Sequence, residues 1–157
     1  MKRYERLEAW QVAHQLVLLT YRVTKSFPRE ELYGLTSQAR RAAFSVAANI
    51  AEGSAKKGPR EFRRYLDIAL GSLSELSYIF QLVKDLDLIE PTKWSELDHA
   101  REKAGRLTWG LYRSVRNRAD GLTARGLVMQ RPGRWNKRGS CCSPATFTPT
   151  VSIGPPS

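Results

Sequence analysis

The stretch from Pro59 to Leu86 constrains this chain most, because its apolar residues recur at alternating steps of four and three. This spacing is the a/d repeat of a packed helix, and it runs through Phe62, Leu66, Ala69, Leu73, Leu76, Phe80 and Val83. A second stripe lies beside it, through Tyr65, Ile68, Ser72, Glu75, Ile79, Leu82 and Leu86. An apolar surface of this width needs neighbours on two sides. At about 1.5 Å of rise per residue the helix would be roughly 40 Å long, which suits an elongated bundle.

Helical periodicity also marks the beginning and the later part of the chain. Apolar residues recur at steps of three and four from Arg6 to Ser26, and Phe27-Pro28 ends that helix because the residue before a proline is driven out of the helical conformation. A fourth helix is predicted from about Thr92 to Arg118, although Gly105 and Gly110 weaken it by about 1 kcal/mol each.

The second helix is predicted from Thr36 to about Glu52. Thr36 or Ser37 is the candidate N-cap, and Gly53 is the candidate glycine just past the helix end. Most side chains on the inward face are small, with Ala39, Ala42, Ala43 and Ala47 among them, and small faces allow two helices to approach closely. The four segments together predict an all-α four-helix bundle over residues 1–118.

Two polar residues near the end of the second helix are predicted to have structural partners. Asn49 falls on the apolar stripe, where an unpaired amide costs about 1–3 kcal/mol, so we expect it to bond a neighbouring helix or the following turn. Glu52 lies in the last helical turn, where the helix dipole disfavours an anion by about 0.3–1 kcal/mol. We therefore expect it to meet a cation, and Lys56, Arg60 and Arg63 are the candidates.

The consecutive arginines Arg40 and Arg41 must point in different directions, about 100° apart on a helix. One of them is expected to reach Glu75, the single charge in the second stripe of the long helix. Ligand binding and plain solvation are the alternatives for these arginines.

The charge balance makes a polyanion the first partner to consider. The formal net charge is +11 at pH 7, and such a basic chain points to nucleic acid before membrane. The N-terminal residues carry several charges, and the apolar run Leu16–Leu19 is short, so we expect neither a signal peptide nor a membrane span. Cys141 and Cys142 are adjacent and are interpreted as free thiols, which is typical of a cytoplasmic protein.

The residues offer little support for catalysis. His14 and His99 fall on different predicted helices without a neighbouring carboxylate or nucleophile motif, and the sequence contains no glycine-rich phosphate loop or metal-ligand spacing. We therefore expect a protein that is not an enzyme and that needs no cofactor or metal.

The composition changes beyond Arg118. Residues 119–157 hold five of the eight prolines and five of the eleven glycines, without helical periodicity. This predicts a disordered, basic, Pro/Gly/Ser-rich tail. A basic tail with an aromatic residue such as Trp135 is able to bind nucleic acid non-specifically, and an unrelated extension is the alternative.

Several short strings, in order along the chain, carry a resemblance to a known family. They are Ala9-Trp10-Gln11-Val12-Ala13, Phe27-Pro28, Glu31, Tyr33-Gly34-Leu35, Gln38, Arg40-Arg41-Ala42-Ala43, Ser45, Asn49-Ile50-Ala51-Glu52-Gly53, Ala69-Leu70-Gly71-Ser72-Leu73 and Glu75-Leu76. Over about residues 4–115 the chain resembles the bacterial four-helix-bundle family encoded in intervening sequences of 23S ribosomal RNA genes. Relatives of that family include the accessory variability protein of diversity-generating retroelements.

The resemblance implies an up-down-up-down antiparallel bundle, assembly into a homopentameric ring and no catalytic activity. For the retroelement relatives it also implies binding to a reverse transcriptase and to nucleic acid through a basic surface. Family members usually end soon after the position of Val115, so the resemblance does not extend to the tail.

An up-down-up-down topology would gather basic residues from three parts of the chain at one end of the bundle. The acidic residues there are fewer, namely Glu5, Glu8, Glu52 and Glu61, and the basic ones are Lys2, Arg3, Arg6, Lys56, Lys57, Arg60, Arg63, Arg64, Arg113, Arg116 and Arg118. At the opposite end acidic residues outnumber Lys25, Arg29, Lys84 and Lys93. In a ring of parallel subunits every positive end would lie on one face.

Two functions of different class follow. The first is a non-enzymatic, homo-oligomeric accessory protein that binds RNA or DNA without sequence preference. Its candidate nucleic-acid-binding residues are Lys56, Lys57, Arg60, Arg63, Arg64, Arg113, Arg116 and Arg118. The second is an oligomeric protein-interaction scaffold with no direct nucleic-acid role. Apart from Tyr65, the basic cluster lacks the base-stacking aromatic residues that would favour the first.

Overall fold

The chain folds into four α-helices, and the part that the structure describes contains no strand. The structure is a computed structural model that describes the backbone of residues 2–128 and the side chains of residues 2–121. The helices are α1 (Glu8–Val23), α2 (Leu35–Ala55), α3 (Pro59–Asp85) and α4 (Pro91–Val128), and short 3-10 turns span Arg3–Arg6, Thr24–Ser26 and Arg29–Glu31. The prediction of an all-α protein is confirmed.

Each helix packs against two others. α1 contacts α2 and α4, and α3 contacts the same two helices, whereas within the described residues α1 does not meet α3 and α2 does not meet α4. In two of these contacts the end of one helix lies beside the beginning of its neighbour. Gly53 near the end of α2 lies against Phe62 near the start of α3, and Arg63 of α3 meets Asp120 late in α4.

The core follows the stripe that the sequence predicts for α3. All of its residues from Leu66 to Val83 are buried, and Phe62 is partly buried against them. The second stripe is only half buried, because Ile79 and Ser72 are covered whereas Ile68 and Leu86 are exposed. The width of the apolar surface on α3 therefore exceeds what α2 and α4 cover.

The ends of α1 differ from the predicted Arg6 and Ser26. Leu7 is extended and separates the first 3-10 turn from the α-helix, which begins at Glu8. At the other end Pro28 forces Phe27 into an extended conformation, and the turn before it tightens to a 3-10 helix. The α-helix therefore ends at Val23, three residues before the predicted end at Ser26.

The start of α2 corrects the predicted N-cap. Thr36 is buried inside the helix, and Gly34 occupies the N-cap position without a capping side chain. The Leu35 amide instead donates a hydrogen bond of 3.2 Å to Glu31 Oε2. A carboxylate from the preceding turn therefore supplies the acceptor that Thr36 or Ser37 was expected to supply.

The prediction that Gly53 follows the end of α2 is wrong. The helix continues to Ala55, and Gly53 is buried within it. A Cβ at this position would lie 2.6 Å from Phe62 Cδ2 and 2.7 Å from Tyr65 Cβ. Gly53 is therefore needed for the close approach of α2 and α3. The residue with a positive φ is instead Gly58, at 101°. It is the N-cap of α3 and is followed by Pro59 at the first helical position.

Helix α4 extends beyond its predicted end at Arg118 and reaches Val128. Gly105 and Gly110 do not interrupt it, because the helix is anchored by buried residues on both sides of them, Ala104 before and Val115 after. Residues 119–128, which we predicted to be disordered, thus belong to the last helix. The rest of the predicted tail, residues 129–157, lies outside the described residues.

One helix of the described part, α3, is long and apolar enough on average to cross a membrane. Its core residues, such as Leu66 and Leu76, are nevertheless buried within the bundle. The central helix of a packed bundle has the same length and composition, so this property alone is not evidence for a membrane span.

Candidate functional site

Basic residues from three distant parts of the chain line one cavity of about 640 Å³. Arg3 comes from the first 3-10 turn, Lys56 from the connection between α2 and α3, and Arg118 from α4. The walls of the cavity also include Leu7 and Phe62. We call the end of the molecule around this cavity the basic end.

The connection between α2 and α3 brings the densest cluster of cations to the basic end. Lys56 and Lys57 precede Gly58, whose positive φ turns the chain, and the first turns of α3 follow at once. Lys56, Lys57, Arg60 and Arg64 are exposed and Arg63 is partly buried. The connection and the first turns of α3 together therefore carry five cations.

Lys56 is held against an aromatic ring. Its Nζ atom lies 5.1 Å from the centroid of the Tyr65 ring. Its hydrogen bond to the Tyr65 side chain, with smaller contributions from Glu52 and Glu61, raises the pKa of the Lys56 amine above its ordinary value of 10.5. The amine is therefore positively charged at neutral pH.

The three arginines that we predicted on α4 are not equivalent. Arg118 lines the cavity, and its guanidinium also bonds Ser114. Arg113 and Arg116 are exposed on the preceding turns, and at about 100° per residue they point roughly 140° and 160° away from Arg118. A single ligand at the cavity can reach Arg118 most directly.

An acidic residue that sequence reasoning left out also lies at the basic end. Asp120 Oδ1 is 3.9 Å from Arg63 Nη1, and both side chains are substantially exposed. The predicted end of α4 at Arg118 had placed Asp120 in the tail. The ion pair lowers the charge available from Arg63, so the basic end is less positive than predicted.

A different cavity marks the opposite end of the molecule. Its lining includes Lys25 after α1 and both Lys93 and Glu96 from the start of α4. The acidic connection between α3 and α4 contains Asp87, which has a positive φ of 53°. Three cations, Arg22, Lys25 and Lys93, line this second cavity beside Glu96, so the opposite end also carries positive charge and the predicted separation of basic and acidic groups is incomplete.

Arg40 and Arg41 have different partners, as their spacing predicts. Arg41 Nη2 lies 4.0 Å from Glu75 Oε1, with both side chains well exposed, which makes this a weak surface pair. Arg40 turns towards α1, where its Nε donates a 2.8 Å hydrogen bond to Thr24 Oγ1 and its guanidinium lies over the Tyr21 ring. Arg40 therefore links α1 to α2.

Asn49 satisfies its amide within its own helix and not on a neighbouring helix as we expected. Its Nδ2 donates to the Ser45 carbonyl at 2.8 Å and to Ser45 Oγ at 3.1 Å. Ser45 Oγ in turn lies 2.8 Å from Ser72 Oγ on α3. Ser45, one helical turn before Asn49, is the nearer acceptor. The hydrogen bond between α2 and α3 is therefore made by Ser45 and Ser72.

The expectation that Glu52 meets a cation stays a prediction. Glu52 is near enough to Lys56 to raise the pKa of its amine. Arg63, another of the three candidates, pairs with Asp120.

Sequence reasoning missed an aromatic stack near the start of the chain. The Trp10 ring lies 5.2 Å from the His14 imidazole, nearly parallel to it, and 4.6 Å from the Tyr4 ring. Lys2 Nζ is 5.8 Å from the Tyr4 centroid. The spacing of Trp10 and His14 by four residues could have indicated their contact, whereas the position of Tyr4 depends on the 3-10 turn.

No group of three or more His, Cys, Asp or Glu side chains among the described residues is arranged to hold a metal ion. The histidines His14 and His99 are on different helices, α1 and α4. What the basic end offers is therefore positive charge and an apolar cavity.

Comparison with solved structures supports the helical fold. A crystal structure of a protein with unknown function from the S23 ribosomal protein family of Bacteroides thetaiotaomicron superposes with a TM-score of 0.62 and 18% sequence identity. The match covers 66% of this chain and 97% of that one. At this level of identity the similarity concerns the fold alone. No curated protein matches this sequence.

The sequence itself identifies the family. Residues 5–110 match the family described as 23S rRNA-intervening sequence protein. The match extends from the 3-10 turn before α1 to Gly110 and so includes the whole of α1, α2 and α3 and the first half of α4. It covers well over half of the chain, and the protein therefore belongs to the 23S rRNA-intervening sequence protein family.

Proposed function

We propose that this protein is a non-enzymatic, up-down-up-down antiparallel four-helix bundle that binds RNA or DNA through its basic end. The observation that carries the proposal is the cavity shared by Arg3, Lys56 and Arg118. These residues are far apart in sequence, and their convergence produces a positive surface that no single helix would provide. The topology is supported by the contacts between successive helices.

Phosphate groups are the ligands that this surface suits best. Lys57 is exposed next to Lys56, which lines the cavity, so positive charge extends beyond the space that one small anion would fill. Lysine and arginine contacts to phosphates release condensed counterions, which makes binding strongly salt-dependent and largely independent of sequence. The proposed role is therefore that of an accessory protein to an RNA, a cDNA or a polymerase that handles them.

The proposal is tested by titrating random-sequence RNA and DNA at several salt concentrations. We expect similar affinities for different sequences and a linear fall of log K with log salt, by about 0.7 per phosphate contact for single strands. Parallel mobility-shift assays would report the complexes. Absence of binding at low salt, or binding that does not respond to salt, would contradict a nucleic-acid role.

We also propose that the protein forms a homo-oligomer, and we take five subunits from the resemblance to its family. The supporting observation is the set of exposed aromatic residues, in which Phe44, Tyr78 and Trp109 are 60%, 69% and 49% accessible. Tyr78 and Trp109 line one groove between α3 and α4, and Phe44 lies on α2. Apolar surface of this kind is typical of protein contacts, and a single copy in light scattering at micromolar concentration would argue against it.

Two of the tryptophans do not add to this exposed apolar surface. Trp94 donates its indole N–H to the Phe80 carbonyl at 2.9 Å, and Lys84 covers its ring at 4.2 Å. Trp10 is partly buried against the core. The expectation consequently depends on the groove residues and on Tyr33, which is 90% accessible.

An oligomeric protein-interaction scaffold is the second candidate function. The groove that contains Tyr78 and Trp109 favours it, because these side chains are suited to a protein partner. An acidic protein could then occupy the basic end. The salt titration with nucleic acid separates the two functions, and the gene's neighbourhood, within a ribosomal RNA insertion or beside a reverse transcriptase, tests the accessory role.

A further inference from the structure

The cavity at the basic end combines an apolar wall with a cationic rim. Phe62, Leu111 and Val115 contribute apolar surface, whereas Arg3 and Arg118 are exposed at its edge. Its volume of about 640 Å³ lies within the roughly 300–1,000 Å³ that is typical of small-molecule sites. A ligand that fits this arrangement has a flat or apolar part to bury and an anionic part to leave outside.

The wall also offers a hydrogen-bonding group to a polar ring. Ser54 is 6% accessible and lines the cavity. Its Oγ donates a 2.7 Å hydrogen bond to the Ala51 carbonyl, which leaves the oxygen free to accept a hydrogen bond from a ligand. Phe62 supplies an aromatic ring, and rings of this type stack on nucleobases.

We propose that this cavity takes one unpaired nucleobase of a single-stranded RNA or DNA, with the adjoining phosphates bound by Arg3, Lys56 and Arg118. The inference rests on the proposed function and adds the form of nucleic acid that is bound. A fatty acid would also combine an apolar part with an anion. A polymer, however, uses the positive charge that continues beyond the rim at Lys57.

Insertion of a base predicts a preference for single strands. In a duplex the bases are paired and stacked, so presenting one to the cavity costs a few kcal/mol. A single strand avoids most of that cost and gains about 1–3 kcal/mol from stacking of a base on an aromatic side chain. The same phosphates in a duplex would contact only the rim.

Gly121 allows the cavity to be filled without disturbing the core. It lines the cavity, is exposed, and a Cβ added there would meet no atom within 4 Å. Gly110 is a matched control, because it lies on the same helix, is exposed and is equally open. The variants Gly121→Trp and Gly110→Trp therefore differ in whether the indole occupies the cavity.

The test compares the affinity of both variants for a random single strand, for the same strand with abasic sites and for a duplex. For wild type we expect the abasic strand to bind about tenfold more weakly than the intact strand. Gly121→Trp should bind the intact strand about tenfold more weakly than wild type, with no further loss for the abasic strand and no change for the duplex. Gly110→Trp should behave as wild type, and thermal unfolding by circular dichroism confirms that both variants are folded.

Two outcomes would overturn the inference. One is equal binding of intact and abasic strands by wild type, and the other is an equal loss of single-strand and duplex binding in Gly121→Trp. Either result leaves the proposed function standing if binding is still salt-dependent. Failure of wild type to bind any of the three probes at low salt would instead remove the proposed function itself.

Discussion

Replacing the five cations of the α2–α3 connection with glutamate is expected to lower the affinity for single-stranded RNA by at least about 100-fold near 0.1 M salt. The five residues are Lys56, Lys57, Arg60, Arg63 and Arg64. Each substitution removes a potential phosphate contact and adds a repulsive charge. If each residue contacts one phosphate, the slope of log K against log salt should fall by roughly 3.5, at about 0.7 per contact. Fluorescence anisotropy at several salt concentrations measures both quantities.

A control variant with the same change in net charge separates the basic end from the charge of the whole protein. Arg22, Lys25, Arg29, Lys103 and Arg106 are exposed and do not line the cavity of the basic end. Their replacement with glutamate should reduce affinity far less and leave the slope nearly unchanged. Equal losses in the two variants would mean that net charge, and not its location, controls binding.

Loss of stability is not expected to explain the effect at the basic end. The ion pair between Arg63 and Asp120 is 3.9 Å long and substantially exposed. Such surface pairs contribute about 0–1 kcal/mol. The free energy of unfolding should therefore change little, and circular dichroism of the variant would verify that it is folded.

Replacing Gly53 with alanine is expected to lower the free energy of unfolding by about 1–3 kcal/mol. The new Cβ would lie 2.6 Å from Phe62 Cδ2 and 2.7 Å from Tyr65 Cβ. The Tyr65 Cβ is attached to the backbone and cannot rotate away, so α2 and α3 would have to separate. This cost exceeds the gain of about 1 kcal/mol that alanine brings to a helix interior. Urea denaturation monitored by circular dichroism measures the change.

Gly71→Ala is the matched control for Gly53→Ala. Gly71 lies within α3, and a Cβ added there would meet no atom within 4 Å. Only the helix-propensity term remains, so the free energy of unfolding should rise by up to about 1 kcal/mol. If both alanine variants were more stable than wild type, the close approach of α2 and α3 at Gly53 would be wrong.

The features of the fold that depend on nearby residues could be predicted from the sequence. Pro59 marks the first residue of α3, and the a/d stripe gives its buried face, because both depend on local geometry. The start of α2 could not be predicted, since its acceptor comes from Glu31 in the preceding turn. The role of Gly53 was missed for a similar reason, as it depends on the distance between two helices.

The same distinction applies to the candidate site. The cations from Lys56 to Arg64 are close in sequence, so their cluster was visible without a structure. The approach of Arg3 and Arg118 to Lys56 depends on the arrangement of the helices, so it was predicted only through the topology that the resemblance implies. Asp120 was missed because α4 continues past Arg118, the position at which the glycine- and proline-rich composition begins.

Lysine reactivity in the complex with random-sequence RNA tests most directly whether separate parts of the chain form one binding surface. Limited acetylation followed by mass spectrometry would compare each lysine in free and bound protein. We expect strong protection of Lys56 and Lys57 and protection of Lys2, whereas Lys25 and Lys93 at the opposite end should stay as reactive as in the free protein. Protection of Lys25 and Lys93 with Lys56 and Lys57 still reactive would contradict binding at the basic end.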